Sequence, residues 1–185
     1  VVQLTILLQQ PVMPMYIGEL QGSMDRIVFV TGIVFSVVGV SGVIASPLWG
    51  VIGQKWGYRP ALYTALAGTA CFGMIQAIPD TLVPFAVWRF IGGALPFAGI
   101  FPAINAVLTM STPPEDRGRI FGLSYAAQQV GSVIGPLVGG GMAMYLPLKF
   151  VIFLGGFILL PLVIFLWYMR PKNEENSHGS PAQLR

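Results

Sequence analysis

Residues 131–141 read "GSVIGPLVGGG" within a long apolar stretch. In a soluble helix each glycine costs about 1 kcal/mol and a proline about 3 kcal/mol relative to alanine. A segment that collects both must be stabilised by something other than intrinsic propensity. Gly131, Gly135 and Gly139 recur at every fourth position and share one helix face, and Gly140 widens that stripe. Small residues at this spacing let two backbones approach closely inside a membrane. Pro136 removes one backbone hydrogen bond and bends the helix, and neighbouring helices can satisfy the freed carbonyl. The stretch predicts a kinked membrane helix packed tightly on another, either for static packing or for movement.

The rest of the chain agrees with that setting. It has 185 residues, 55% hydrophobic and 9% charged, with a mean hydropathy of +0.74. Soluble domains carry about 25% charged residues, so that class is excluded. Runs of about 20 apolar residues read as membrane spans. Six are expected, at roughly 1–18, 27–52, 60–78, 82–110, 120–145 and 148–169. The expected fold is an all-α membrane protein, with residues 1–169 as a six-span bundle. A polar tail over 170–185 has the composition of a disordered segment. The opening run from Val1 lacks a basic n-region and a cleavage site, so it is not read as a signal peptide. It reads as a span cut at its start, and the chain as a fragment.

Basic residues set the orientation. Lys55, Arg59, Arg117, Arg119, Arg170, Lys172 and Arg185 fall on one side, and only Arg26 and Lys149 on the other. The richer side is expected to be cytoplasmic, which puts both chain ends in the cytoplasm and the protein in the cell membrane. The net charge of +3 is scattered over short loops with no basic stripe interleaved with aromatics, so it reads as topology and not as nucleic-acid binding. Taken as two sets of three spans, the first of each set carries two prolines (Pro11 and Pro14; Pro96 and Pro102) and the second carries one (Pro47; Pro136). Broken helices at matching positions of two repeats point to a transport pathway.

Few polar groups lie inside these spans. Arg89 is the only charge, and it either serves a function or snorkels to the interface near Asp80. Gly93, Phe97, Phe101 and Asn105 follow at four-residue steps and trace a stripe that faces a cavity or lipid. Gln9 and Gln10 lie deep in the first span, and Tyr125, Gln128 and Gln129 just before the glycines. Amides in hydrocarbon face protein or water. Adjacent helical residues point about 100° apart, so one of each pair is expected to line a cavity. The segment "GVIGQKWGYRPAL" (50–62) reads as a tight loop in which Gly53 and Gly57 supply backbone angles closed to other residues. Lys55 and Arg59 are placed there to meet helix carbonyls, acids or lipid phosphates. The acidic residues all fall in loops or the tail, Cys71 is single, and His178 is in the tail. No metal cluster, nucleophile–base set or phosphate loop is legible, so neither an enzyme nor a cofactor is expected.

Together these pieces resemble the twelve-span drug:proton antiporters of the major facilitator superfamily, over the whole chain apart from the tail. Gly131, Gly135, Pro136, Gly139 and Gly140 fill the family's fifth-helix motif G-x-x-x-G-P-x-x-G-G. Gly50, Lys55, Gly57 and Arg59 fit its loop motif, but Gln54 stands where an acid belongs and Pro60 replaces the last basic residue. That removes a charge held to latch the cytoplasmic gate. Arg89 and Gly93 fit the fourth-helix motif, with Gly92 in place of the usual glutamine. The resemblance implies one half of such a transporter, built as two inverted three-helix repeats. The degenerate loop motif and "PEDRGRIFGLSYAAQQ" (114–129) favour the C-terminal half over the N-terminal one. It implies proton-driven efflux of small amphiphilic molecules by alternating access. Cavity residues would be Gln9, Gln10, Phe97, Phe101, Asn105, Tyr125, Gln128 and Gln129, with the proton-carrying acid in the missing half. The implied partners are lipids, protons, a small-molecule substrate and that half. A metabolite or sugar carrier, or a non-transporting six-span scaffold, remains the alternative, since fold alone does not set function. Reading the DNA upstream of the Val1 codon tests the fragment expectation. An in-frame extension encoding about six more spans is the expected result, and a nearby stop codon the contrary one.

Overall fold

The structure, a computed structural model, describes residues 1–93 and 98–168. Phe97, Pro96 and the 170–185 tail lie outside the described residues. Those described form helices and turns without a strand. In chain order the helices are α1 (Val2–Leu8), α2 (Met13–Gln21), α3 (Ile27–Trp56), α4 (Tyr58–Ile75), α5 (Leu82–Gly92), α6 (Ala98–Ser111), α7 (Arg117–Ala143), α8 (Leu148–Phe157) and α9 (Leu159–Tyr168). Two segments, Ile27–Trp56 and Leu148–Tyr168, are long and apolar enough to cross a membrane by length and composition.

Prolines explain where the chain interrupts its helices and where it does not. Pro11 and Pro14 have no N–H to offer the carbonyls of Leu7 and Gln10, and the chain turns between Leu8 and Met13. The Gln10 N–H bonds the Leu7 carbonyl instead (3.1 Å), tightening the turn. Near Pro161, α8 gives way to α9 at Ile158. By contrast α3 runs through Pro47 and α7 through Pro136. The expected loop after Gly53 shrinks to one residue. Helix α3 continues to Trp56, α4 starts at Tyr58, and Gly57 turns the chain with φ +91° and ψ 146°, a region open essentially to glycine. Gly53 does not supply an unusual backbone angle: it lies inside α3 and leaves room for the Tyr58 ring, which a Cβ there would meet at 2.7 Å. Arg117 opens α7 and donates to the Thr109 and Thr112 carbonyls (3.2 and 3.3 Å), so a cation closes the C-terminal end of α6.

The most extensive helix pair is α1 with α7. A Cβ on Gly131 would lie 3.0 Å from the Leu4 nitrogen, and one on Gly135 2.7 Å from the Leu4 carbonyl oxygen. One on Gly139 would fall on the Leu8 carbonyl oxygen. The three glycines therefore seat one backbone directly on another. Gly140 does not widen this contact, because a Cβ there would meet nothing within 4 Å among the described residues. Four successive helical residues sweep around the axis, and Gly140 has turned off the interface. A second crossing of the same kind joins α4 to α8, where a Cβ on Gly73 would stand 2.8 Å from the Gly156 Cα.

Buried side chains fill the spaces between. Met13, Tyr16, Ile17, Val34, Phe85 and Ile152 form one cluster, with Tyr16 edge-on to Phe85 at 5.3 Å and its hydroxyl donating to the Pro79 carbonyl (3.3 Å). Leu8, Val12 and Val151 form a second, and Ala65, Leu66 and Ile100 a third. Large apolar side chains also face outward along α3 and α7, among them Val43 (77% exposed) and Leu137 (71%). A face of that kind belongs against lipid or another protein surface. Alanine at Gly139 is expected to lower the stability of the intact protein by about 1–3 kcal/mol. Alanine at Gly140 should leave it unchanged or raise it by up to about 1 kcal/mol. Thermal unfolding of the solubilised protein measures both.

Candidate functional site

The helix interruption at Leu8–Met13 leaves Gln9 and Gln10 outside regular helix, and both line a cavity of about 240 Å³. Only one of the pair was expected there. The 100° offset between neighbours holds within a helix, and these two residues are in the turn between α1 and α2. The cavity is walled by Phe35 on α3, Phe72 on α4 and Trp88 on α5, and by Leu159 at the start of α9. Its glycines come from three helices: Gly73, the pair Gly92 and Gly93, and the pair Gly155 and Gly156.

Three side chains join into one chain of hydrogen bonds inside it. Arg89 Nη1 donates to Gln76 Oε1 (3.3 Å) and reaches the Met13 Sδ at 3.7 Å. Gln76 Nε2 donates to Gln9 Oε1 (3.0 Å). The guanidinium also lies 5.8 Å from the Phe35 ring centre and 5.7 Å from that of Phe85, within cation–π range. Arg89 thus turns into the bundle rather than snorkelling toward Asp80. Asp80 pairs instead with Lys149 at the start of α8, an exposed contact that solvent screens. The described carboxylates Glu19, Asp25, Asp80, Glu115 and Asp116 are all exposed, and none lines the cavity. Arg89 Nε is enclosed with no hydrogen-bond partner among the described residues.

The other sequence candidates are dispersed. Gly93 lines the cavity, where a Cβ would crowd Ser41 and Val38. Phe101 and Asn105 do not, and Asn105 is exposed. Phe97, the link between Gly93 and Phe101 in the expected four-residue step, lies outside the described residues. On α7, Tyr125 (63% exposed) and Gln129 face outward, while Gln128 folds its amide onto the Ser124 carbonyl (3.3 Å). In the loop motif, Gly50 has open space beside it, Gln54 and Lys55 are exposed at the end of α3, and Arg59 is partly buried at the start of α4. Sequence reading passed over Gln76, although an amide in the apolar run "CFGMIQAI" (71–78) carries the same signal as Gln9. It also passed over Gly73 and Gly156, isolated glycines with no repeat to mark them.

The site is a small, largely apolar chamber walled in part by the rings of Phe35, Phe72 and Trp88, with amide and guanidinium donors converging on one corner. That arrangement suits reversible binding of an amphiphilic molecule, with the apolar part on the rings and the polar part on the donors.

Comparison with known proteins places this geometry in a family. A model of the Major Facilitator Superfamily matches residues 2–184. An uncharacterised MFS-type transporter of Bacillus subtilis is 27% identical over 179 residues, covering 94% of this chain and 45% of that protein. The staphyloferrin B transporter of Staphylococcus aureus is 34% identical over 144 residues, covering 77% and 34%. The multidrug resistance protein MdtG of Proteus mirabilis is 29% identical over 158 residues, covering 85% and 39%. The chain spans less than half the length of these relatives. Within the site, Gln76 is the link between Arg89 and Gln9. Replacing it with leucine is expected to destabilise the intact protein by about 1–3 kcal/mol, since a charged donor loses its acceptor. Chemical unfolding of the Gln76→Leu protein checks this.

Proposed function

The chain belongs to the Major Facilitator Superfamily, and from that premise we propose that it is the C-terminal six-helix half of a secondary transporter exporting small amphiphilic molecules by proton antiport. The cavity carries this reading: a chamber with converging donors, inside a bundle whose outer faces are apolar. In the proposal the helices pair into six spans as two inverted three-helix repeats. Helices α1 with α2, and α5 with α6, form the first member of each set. Both chain ends lie on the cytoplasmic side of the cell membrane. The outward-facing Tyr125, Gln129 and Asn105 extend the pathway toward the missing half, which covers the apolar face of α7 and contributes the proton-carrying acid. A relative named as a multidrug resistance protein supports drug export.

A second reading has its own support. One relative is named as a transporter of staphyloferrin B, which favours a metabolite carrier on the same fold.

Alternating access requires the two halves to rock about the central site. Pro136 denies α7 one backbone hydrogen bond, and Gly135 beside it lies against α1. We assign α7 the moving contact. Alanine at Gly135 would press on the Leu4 carbonyl and confound motion with packing, so Pro136 is the cleaner probe. Pro136→Ala in the intact protein is expected to abolish efflux from cells while membrane insertion stays normal. Efflux at the parental rate would remove α7 from the switching mechanism.

A further inference from the structure

Among the described residues the Arg89 guanidinium has no counter-charge. Buried charges are expensive unless paired, and a cation within an apolar bundle is a functional-site signal. Its partners here are a neutral amide oxygen, a thioether and two ring faces. Each offsets part of the desolvation, and none neutralises the charge. The exposed carboxylates lie elsewhere, and Asp80, the one nearest in sequence, is engaged by Lys149. Arg89 Nε is enclosed and has no hydrogen-bond partner among the described residues. Arginine offers donors in a planar fork that matches a carboxylate through two parallel hydrogen bonds. The same residue lines the cavity beside Trp88 and Phe72, whose rings offer an apolar wall.

We propose that the cavity binds its transported molecule through an anionic group, a carboxylate on a small apolar or aromatic frame, held by Arg89 with the ring system against Trp88 and Phe72. This deepens the transport reading and rests on it for the word transported; the anion site itself does not need it. The electrostatics select against cationic amphiphiles, because a second positive charge would enter a chamber that already holds one unpaired. The cavity, at about 240 Å³, lies just under the usual range of about 300–1,000 Å³ for small-molecule pockets, so the anion is small. Gln76 positions the guanidinium, since its Oε1 accepts from Nη1 while its Nε2 is tied to Gln9.

The test is equilibrium binding of radiolabelled 2-naphthoate, its methyl ester and 2-naphthylmethylammonium to the solubilised intact protein. The acid is expected to bind about tenfold or more tightly than the ester, as charge-assisted hydrogen bonds imply, and the ammonium weakest. Arg89→Gln should erase the preference and Arg89→Lys retain part of it. Gln76→Glu keeps Arg89 but supplies an internal carboxylate beside it, and should lose the acid preference as well. If Arg89→Gln fails to fold, the lysine and Gln76→Glu variants decide. The proposal is overturned if the ester or ammonium binds as well as the acid, if the acid does not bind, or if Gln76→Glu leaves acid affinity unchanged. A carboxylate of the missing half that already pairs with Arg89 would give that last set of results. Proteoliposome transport of the same probes separates the two readings. The expected binding pattern without transport of any probe overturns the transport reading alone. Transport of the ammonium in preference to the acid overturns the anion site alone.

Discussion

Where α1 crosses α7, two backbones meet with no side chain between them. Leu4 and Leu8 present their amide and carbonyl groups directly to Gly131, Gly135 and Gly139. Lipid tails are as apolar as leucine, so helices in a membrane gain little from hiding apolar side chains from one another. Close packing has to hold them. Glycine allows this approach, and its low helix propensity is the accompanying cost. The crossing also fixes where the end of α1 sits, the helix itself being interrupted ahead of Pro11 and Pro14. Because Leu8 is held against Gly139, the turn that follows delivers Gln9 and Gln10 to the cavity. On the opposite wall, the Gly73–Gly156 contact draws α8 against α4, and Gly155 lies against the Gln9 side chain. The Gln9–Gln76 hydrogen bond spans the space between those two crossings.

The polar interior follows from the same geometry. Gln76 stands at the end of α4 and Arg89 in the last turn of α5, helices joined by a short connection through Pro79 and Asp80. Tyr16 closes that connection by donating to Pro79 and packing on Phe85. Arg89 has Phe85 on one side and Phe35 of α3 on another, which offset part of its desolvation without neutralising it. An apolar bundle therefore carries a positive corner in its centre. The corner opposes entry of a second cation and favours an anion, a bias that neither the aromatic content nor the amides alone would produce.

Much of the architecture was legible in the residues. Charge scarcity and long apolar runs excluded a soluble fold, and the four-residue glycine spacing identified α7 as a close-packing helix before its partner was visible. Pro11 and Pro14 marked a break in the first helical segment, and α1 and α2 are its two sides. The resemblance carried by Gly131–Gly140 led to the family to which the chain belongs. The candidate site was less legible. Gln9, Gln10, Arg89 and Gly93 line the cavity, whereas Phe101, Asn105, Tyr125, Gln128 and Gln129 do not. Periodicity assigns a face within one helix, and it fails where the chain turns, as at Gln9–Val12.

The sequence by itself determined what kind of solvent surrounds these helices, which residues break or tighten them, and which groups are too polar to face lipid. Those are local properties, set by side-chain chemistry and the missing N–H of proline. Only the tertiary structure decided that Arg89 points inward to Gln76 rather than outward past Asp80, and that Gly139 meets Leu8 while Gly140 lies off that contact. Both depend on the rotation of each helix about its own axis relative to its neighbours. That rotation is set by which surfaces pack best across the whole bundle, a balance no single stretch of residues contains.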